Sequence, residues 1–433
     1  MFSDLIRKAD EEVVALTYLF DRLSSCTRDI AQAVRDLNGR AQKDGRRVRV
    51  FFMVDSAGLM LLESTQNMWR AEAYDSKVSA ASVYPLGLLS SLSYGDGVHS
   101  ISPEIIGLPA AHEVPALDLR VRTFHYWTVG TLHSKTLTVD GYRTVVGSKN
   151  MDAEIGSELL VELEGPVARS IRTEFYHIWR SGRFADDGDD EYGMAVLHTS
   201  PNGTTAANDT KLVPAMPDGM QVKMPPLQRH SNPRATADMV PILVLSRRWS
   251  PSMSTVDLDS AQNAAWLAAF QLAKQKIYIQ TPNFNAVPAR EALVESVKRG
   301  VRVDLVTSYR FEEIGETIYP SSQADGNNHE AYRRLYQEVG QDIKHPGNGT
   351  FRGCWYIGHR QPANAAPSKD EWTHIKLMNV DDELVIFGSG NMDAQSWFHS
   401  HETNLLVDDA AFAKEITKEL IDQQRSFSPC HAV

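Results

Sequence analysis

His133-Ser134-Lys135-Thr136-Leu137-Thr138-Val139-Asp140, six intervening residues, then Gly147-Ser148-Lys149-Asn150-Met151-Asp152 is the stretch on which the fold of this 433-residue chain turns. It occurs twice. The second copy reads His374-Ile375-Lys376, four residues to Asp381, six more to Gly388-Ser389-Gly390-Asn391, then Met392-Asp393. Six fixed residue types at these spacings should arise by chance on the order of 10⁻⁵ times in such a chain, so two copies mark a duplicated unit. Strand alternation predicts that His133 and Lys135 share one face. Asp140-Gly141 permits a hairpin whose return strand brings Gly147-Ser148-x-Asn150 beside the imidazole. Beyond each copy a glutamate precedes an apolar strand: Glu158 before Leu159-Leu160-Val161, and Glu402 before Thr403-Asn404-Leu405-Leu406-Val407.

Working outward, each copy is preceded by the same layout. In the first half, helix-like Ser3 to Asp10 leads to a buried strand from Val13 to Phe20. Apolar positions at helical spacing (Ile30, Val34, Leu37, Ala41) follow, ended by Gly45, and then the strand Val48 to Val54. In the second half a helix near Ala264 to Ala273 precedes the strand Lys276 to Gln280. A helix through Ala289, Leu293 and Val297 then leads to the strand Val301 to Val306. Strand, helix, strand in that order predicts βαβ units and an α/β fold with mixed, mainly parallel sheets. The expected division is residues 1–181, a linker or insertion over 182–239, and residues 240–433. Residues Asp55 to Val114 read as irregular, with apolar patches at Gly58–Leu62 and Pro85–Leu89 that serve either as satellite core or as a wall beside a substrate site. The acidic run Asp186–Glu191 reads as a solvated linker face. Asn202, Asn208 and Asn348 begin Asn-x-Thr triplets, expected to be unmodified outside a secreted protein.

Composition narrows the function classes. Hydrophobic residues are 42% and charged residues 23%, as in ordinary soluble globular proteins. No apolar run approaches the ~20 residues of a membrane-spanning helix. The N-terminus is charged and lacks a cleavage site, so no secretory signal is expected. Cys26, Cys354 and Cys430 lie far apart and outside any CxxC spacing, so neither a disulfide framework nor a zinc site is expected. A net charge of -11 has the wrong sign for coating nucleic-acid backbone.

The duplicated groups suit a phosphodiester. A five-coordinate transition state concentrates negative charge on its equatorial oxygens. Lys135 and Lys376 would meet it with ammonium groups, Asn150 and Asn391 with amides, and Ser148, Ser389, Gly147 and Gly388 would complete the phosphate-binding set. One of His133 and His374 can attack phosphorus while the other protonates the leaving alcohol. Glu158 and Glu402 would each orient one imidazole, with the pairing between them left open. Asp140 and Asp381, at the turns, are read as structural acids. No metal and no cofactor is called for. Trp127 and Trp372, each shortly before a motif histidine, are read as packed aromatics or as the pocket rim. His125, His177, His329, His399 and His401 are read as ordinary histidines, His401 with a possible place in the cleft beside Glu402.

With both motifs in hand, the chain resembles the phospholipase D superfamily, whose signature is a duplicated HxKxxxxD-x6-GSxN. That resemblance implies two α/β/α halves around a pseudo-two-fold axis with both motifs facing one cleft. It also implies a phosphohistidine intermediate, attack by His133 and acid–base work by His374. Gln262-Asn263-Ala264-Ala265 and Ile277-Tyr278-Ile279-Gln280-Thr281-Pro282-Asn283 resemble the catalytic region of cardiolipin-synthase-like members, although their membrane helices are missing and Asn283 stands where an aromatic is common. The resemblance implies a glycerophospholipid substrate, transient membrane-surface contact without a transmembrane segment, a monomer carrying both motifs, and a cytoplasmic or membrane-peripheral location. A nuclease of the same superfamily is the alternative, and a non-catalytic scaffold the third.

Overall fold

The computed structural model describes residues 1–57, 97–126, 129–153, 156–181, 239–311, 319–342, 349–358, 366–368, 371–424 and 431–432. The N-terminal half runs α1 (Phe2–Lys8), β1 (Glu12–Thr17), α2 (Ser25–Lys43), β2 (Val48–Asp55), β3 (Gly97–Ile101), β4 (Leu117–His125), β5 (Thr136–Val139), β6 (Arg143–Gly147), β7 (Leu160–Glu164) and α3 (Pro166–Trp179). The C-terminal half begins with β8 (Ile242–Arg247), α4 (Ala261–Leu272), β9 (Lys276–Gln280), α5 (Val287–Lys298), β10 (Arg302–Ser308) and α6 (Asn328–Asp342). It continues with β11 (Phe351–Tyr356), β12 (Leu377–Val380), β13 (Leu384–Gly388), α7 (Ala394–Phe398), β14 (Glu402–Val407), α8 (Ala410–Gln424) and β15 (His431–Ala432).

Local chemistry accounts for the helices that flank the central strands. The α2 helix starts at Ser24, whose hydroxyl accepts from the Thr27 amide, and the chain leaves it through Gly45 at φ +63°. Its apolar stripe Ile30, Val34, Leu37 and Ala41 is buried against β1 and β2 in the N-terminal core. Each fully buried aliphatic side chain of that kind contributes about 1.5–3 kcal/mol. Ser260 caps α4 in the same way, accepting from the Asn263 amide.

The two sheets share one plan. The first is ordered β3-β4-β2-β1-β5-β6-β7 and the second β15-β11-β10-β9-β12-β13-β14-β8. Six strands therefore repeat in the same spatial order, from β4 to β7 and from β11 to β14. Parallel pairing is confined to β1·β2 and β2·β4 in the first sheet and to β9·β10 and β10·β11 in the second. The expectation of mainly parallel sheets is corrected here, because each motif folds as a hairpin and adds antiparallel strands to the βαβ core. Part of the region expected to be irregular forms β3, an antiparallel edge strand on β4. Cys354 on β11 is in a disulfide whose partner lies outside the described residues, and Cys26 is free. Spacing alone, which predicts no disulfide framework, could not relate cysteines across a sheet. Gly58–Leu62, Pro85–Leu89, Trp127, Asp186–Glu191, Asn202, Asn208 and Asn348 lie outside the described residues.

The halves meet across the motif hairpins. Val146 and Ile171 of the first half share an apolar cluster with Ile375, Leu377, Val385, Phe387 and Leu405 of the second. Within each half the turn aspartate ties the hairpin to the first central strand. Asp140, at φ +52°, accepts from the amides of Asp10, Glu11 and Glu12 at 2.9, 2.8 and 2.8 Å. Asp381, at φ +56°, accepts from those of Lys274, Gln275 and Lys276, all at 2.8 Å. Each carboxylate thus clamps its hairpin to three backbone amides at the start of the first central strand.

Candidate active site

His133 and Lys135 lie in the extended segment before β5, and His374 and Lys376 in the one before β12, rather than inside the strands as alternation predicted. The backbone there turns its hydrogen bonds toward the opposite half. The His133 amide donates to the His401 carbonyl at 2.9 Å, and the His401 amide to the Thr131 carbonyl at 2.7 Å. The mirror pair runs from the His374 amide to the Ser157 carbonyl at 2.8 Å and from the Ser157 amide to the Trp372 carbonyl at 3.0 Å. His401 and Ser157 immediately precede the two glutamates, so this exchange seats each histidine against the glutamate of the other half. His133 Nδ1 lies 2.8 Å from Glu402 Oε1, and His374 Nδ1 lies 2.9 Å from Glu158 Oε1.

Both carboxylates are held below their ordinary range. Burial alone would raise Glu158, but His374, Lys376 and the Ser148 hydroxyl together bring it down to about 2. Glu402 is likewise lowered against its burial by His133, Lys135 and Ser389. An ionised carboxylate only accepts, so each Nδ1 carries the proton and each Nε2 keeps its lone pair. Burial also depresses both imidazoles, more strongly than the glutamates raise them, and brings His374 down to about 3. Each imidazole also feels the ammonium groups of both lysines, which places the two motifs in one electrostatic site.

The lysines are fixed from behind. Lys135 Nζ donates to the His133 carbonyl at 2.6 Å and Lys376 Nζ to the His374 carbonyl at 2.5 Å. Burial lowers them to about 8 and about 7. Ser148 Oγ donates to Glu158 Oε2, and Ser389 Oγ to Glu402 Oε2 at 2.5 Å. Each hydroxyl thus gives its proton to a carboxylate that faces a motif histidine. Gly147 and Gly388 serve close passage of backbone: an added Cβ would lie 2.0 Å from the Leu159 carbonyl oxygen or 2.4 Å from that of Thr403. Asn150 Oδ1 lies 3.4 Å from the Leu19 amide, whereas Asn391 Nδ2 donates to Asp393 Oδ2 at 2.7 Å.

Several supporting residues carry no motif signal. Asp55 at the end of β2 accepts from the Leu132 amide at 2.8 Å, fixing the residue before His133. Ser308, at the equivalent place on β10, accepts from the Thr373 amide at 2.9 Å and donates to the Thr373 carbonyl at 2.8 Å. Period-two reading of β2 and β10 marks both as strand-end polar residues and nothing more. Tyr18 stands edge-on to His133 at 5.6 Å between ring centroids, and the Lys135 ammonium lies 5.7 Å from its ring centroid. On the other side Trp372 is edge-on to His374 at 5.6 Å, with Phe311 at 6.1 Å. His401 is buried behind the seam, its Nδ1 2.8 Å from Ser134 Oγ. Among the described residues, no group of three or more His, Cys, Asp or Glu side chains is arranged to hold a metal ion, and no helix is long and apolar enough to cross a membrane.

A family model described as the PLD-like domain of cardiolipin synthase matches residues 266–423. Minor cardiolipin synthase ClsB of Bacillus subtilis (strain 168) is 26% identical over 152 residues, 35% of this chain and 30% of that protein. An uncharacterized protein of Helicobacter pylori (strain ATCC 700392 / 26695) is 21% identical over 314 residues, 67% of this chain and 57% of its own. The chain thus spans less than two thirds of the length of these relatives. The crystal structure of phosphatidylserine synthase from Haemophilus influenzae Rd KW20 superimposes with a TM-score of 0.54 at 12% identity, over 99% of this chain and 84% of that one. That superposition reproduces the fold of both halves, and the family match falls on the half that carries the second motif. The duplicated motif, the family match over residues 266–423 and the Bacillus relative support a phospholipase D superfamily protein, and the superposition shows the two-half fold.

Proposed function

We propose that this protein is a phosphodiesterase or phosphatidyltransferase acting on glycerophospholipids through a phosphohistidine. The observation that carries this reading is the reciprocal pairing of His133 with Glu402 and His374 with Glu158, with both lysines acting on both rings. His133 Nε2 attacks phosphorus, the N–P bond forms, and the P–O bond to the departing alcohol breaks. His374 gives that oxygen its proton. Water or a second alcohol then attacks phosphorus and passes its proton to His374, and the N–P bond breaks to free His133. Burial holds His374 far below its ordinary value, so it has to take up the proton it donates once substrate is bound. An anionic phosphodiester between Lys135 and Lys376 offsets the ammonium repulsion and raises His374 toward its charged form. Asn150 and Asn391 supply amide groups to the same phosphate.

The lipid assignment draws on the cardiolipin-synthase description of the family model and on the Bacillus relative. We take residues 1–181 and 240–433 as the two halves, joined by 182–239, and the catalytic unit as one chain. The test is to incubate the protein with mixed phospholipids, with and without added alcohol, beside single- and double-stranded DNA, and to identify the products. Phosphatidic acid, or a new phosphatidyl alcohol when alcohol is present, is expected. Cleavage of DNA with phospholipids untouched would assign the site to nucleic-acid diesters instead.

A further inference from the structure

Ser396 lies outside the duplicated signature, in the first turn of α7, where its amide donates to the N-cap Asp393 Oδ1 at 2.8 Å. Its hydroxyl accepts from the Asn391 amide at 3.0 Å and donates to Glu402 Oε1 at 2.7 Å. That oxygen is also the one facing His133 Nδ1. With Ser389 on Oε2, the Glu402 carboxylate has three side-chain partners, and both Ser396 and Glu402 are fully buried. The first copy differs. Five residues beyond Asn150 stands Ile155, a side chain with no hydrogen-bonding group. Among the described residues, Glu158 takes protons from His374 and Ser148.

We propose that Ser396 is a positioning residue for His133, acting through Glu402 to hold the carboxylate rotamer and to limit its basicity, so that the Nε2 lone pair stays free. The proposal rests on the catalytic reading above and assigns His133 a support that, among the described residues, has no counterpart at Glu158. A carboxylate offers about four lone-pair sites, and each donor that fills one withdraws charge that would otherwise stabilise an imidazolium. Without the Ser396 hydroxyl, Glu402 acts on His133 with a stronger field and can turn about its terminal torsion. The other charged and polar groups around His133 are Lys135, Lys376, Asp393 and Tyr18, and none of them takes a hydrogen bond from the Ser396 hydroxyl.

The experiment is a pH titration of ¹⁵N-labelled histidine side chains in the free protein, with His133 and His374 identified by their loss in His133→Asn and His374→Asn. In Ser396→Ala the His133 pKa should rise by about one unit, with His374 unmoved. Ser396→Thr, which keeps the hydroxyl, should restore the wild-type value. If Ser396→Ala does not fold, Ser396→Cys replaces it and should give a smaller rise, because a thiol is a weaker donor. With an activated aryl phosphodiester, phosphohistidine formation at neutral pH should slow about tenfold in Ser396→Ala. An unmoved His133, or both histidines shifting together, would overturn the proposal. Failure of the wild type to form an adduct with any phosphodiester would end the catalytic reading while leaving the titration result standing on its own.

Discussion

The two copies of the motif carry the same signature and live in different surroundings. Behind the second, Gly390 is packed so closely that a Cβ would lie 2.7 Å from Gln262 Oε1 and 2.8 Å from the Trp266 ring. Asn391, Asp393, Ser396 and Glu402 then form one buried hydrogen-bonded chain. The first copy has Lys149 at the position of Gly390. Its ammonium reaches the Ala153 carbonyl at 3.1 Å and Asp152 Oδ1 at 3.4 Å. Here the carboxylate that holds the imidazole, Glu158, is 14% exposed, against 0% for Glu402. A duplicated set of groups in unequal environments is what a two-step reaction needs, since attack requires a neutral imidazole and leaving-group departure a charged one.

The largest expected effect breaks the symmetry at the histidines. His133→Asn should cut turnover by about 10⁴-fold or more and abolish the covalent adduct. His374→Asn should accumulate that adduct with a diester whose leaving group needs no proton. Mass spectrometry of quenched samples reads both, and a phosphoryl group on His374 in the His133→Asn protein would exchange their roles.

Exchanging the residues behind the motifs comes next. Gly390→Lys forces a side chain into the Gln262–Trp266 packing and should cost about 2–4 kcal/mol in urea unfolding, while Lys149→Gly should cost about 1 kcal/mol or less. Equal losses would mean that the two environments are less distinct than their packing.

The clamps should be smaller and nearly matched. Asp140→Asn and Asp381→Asn each weaken three bonds to backbone amides, for about 1–3 kcal/mol. Activity per folded molecule should be kept in both. The more buried Asp140 should cost more, and a selective loss of kcat in either variant would return that carboxylate to the chemistry.

The gentlest probe is pH. Glu158 sits at about 2 and His374 at about 3 in the folded chain, against ~4.3 and ~6.5 unfolded. In both cases the unfolded chain binds more protons, so stability falls as pH falls: from ~6.5 toward 3 through His374 and from ~4.3 toward 2 through Glu158. The drop in urea midpoint between pH 7 and pH 4 should therefore shrink in His374→Asn. An undiminished drop would show that His374 titrates normally.

Much of this arrangement is legible in the residues. The spacing from Lys135 to Asp140 to Gly147 encodes a hairpin, and the apolar stripe of α2 encodes the face it buries. The turn acids could be read as structural because Asp tolerates the left-handed conformation they adopt. What stayed hidden depends on contacts between distant segments. Local sequence places Glu158 beside Ser148, and nothing in it says that the carboxylate turns to His374, 216 residues away. The serine hydroxyls read as phosphate ligands from spacing, and their bonds to the carboxylates emerge only in the fold. Asp55, Tyr18 and Ser396 carry no signature, because their roles exist only once strand ends, hairpins and α7 converge.

The crossed backbone bonds at His133 and His374 also make the seam a single switch for the whole site. Any breathing that parts the halves takes the orienting carboxylate from both rings at once, so neither half can keep a working remnant. Heat inactivation should then run ahead of the melting of either sheet and follow one exponential. The amide protons of His133, Ser157, His374 and His401 should exchange with solvent together, at the rate at which activity disappears.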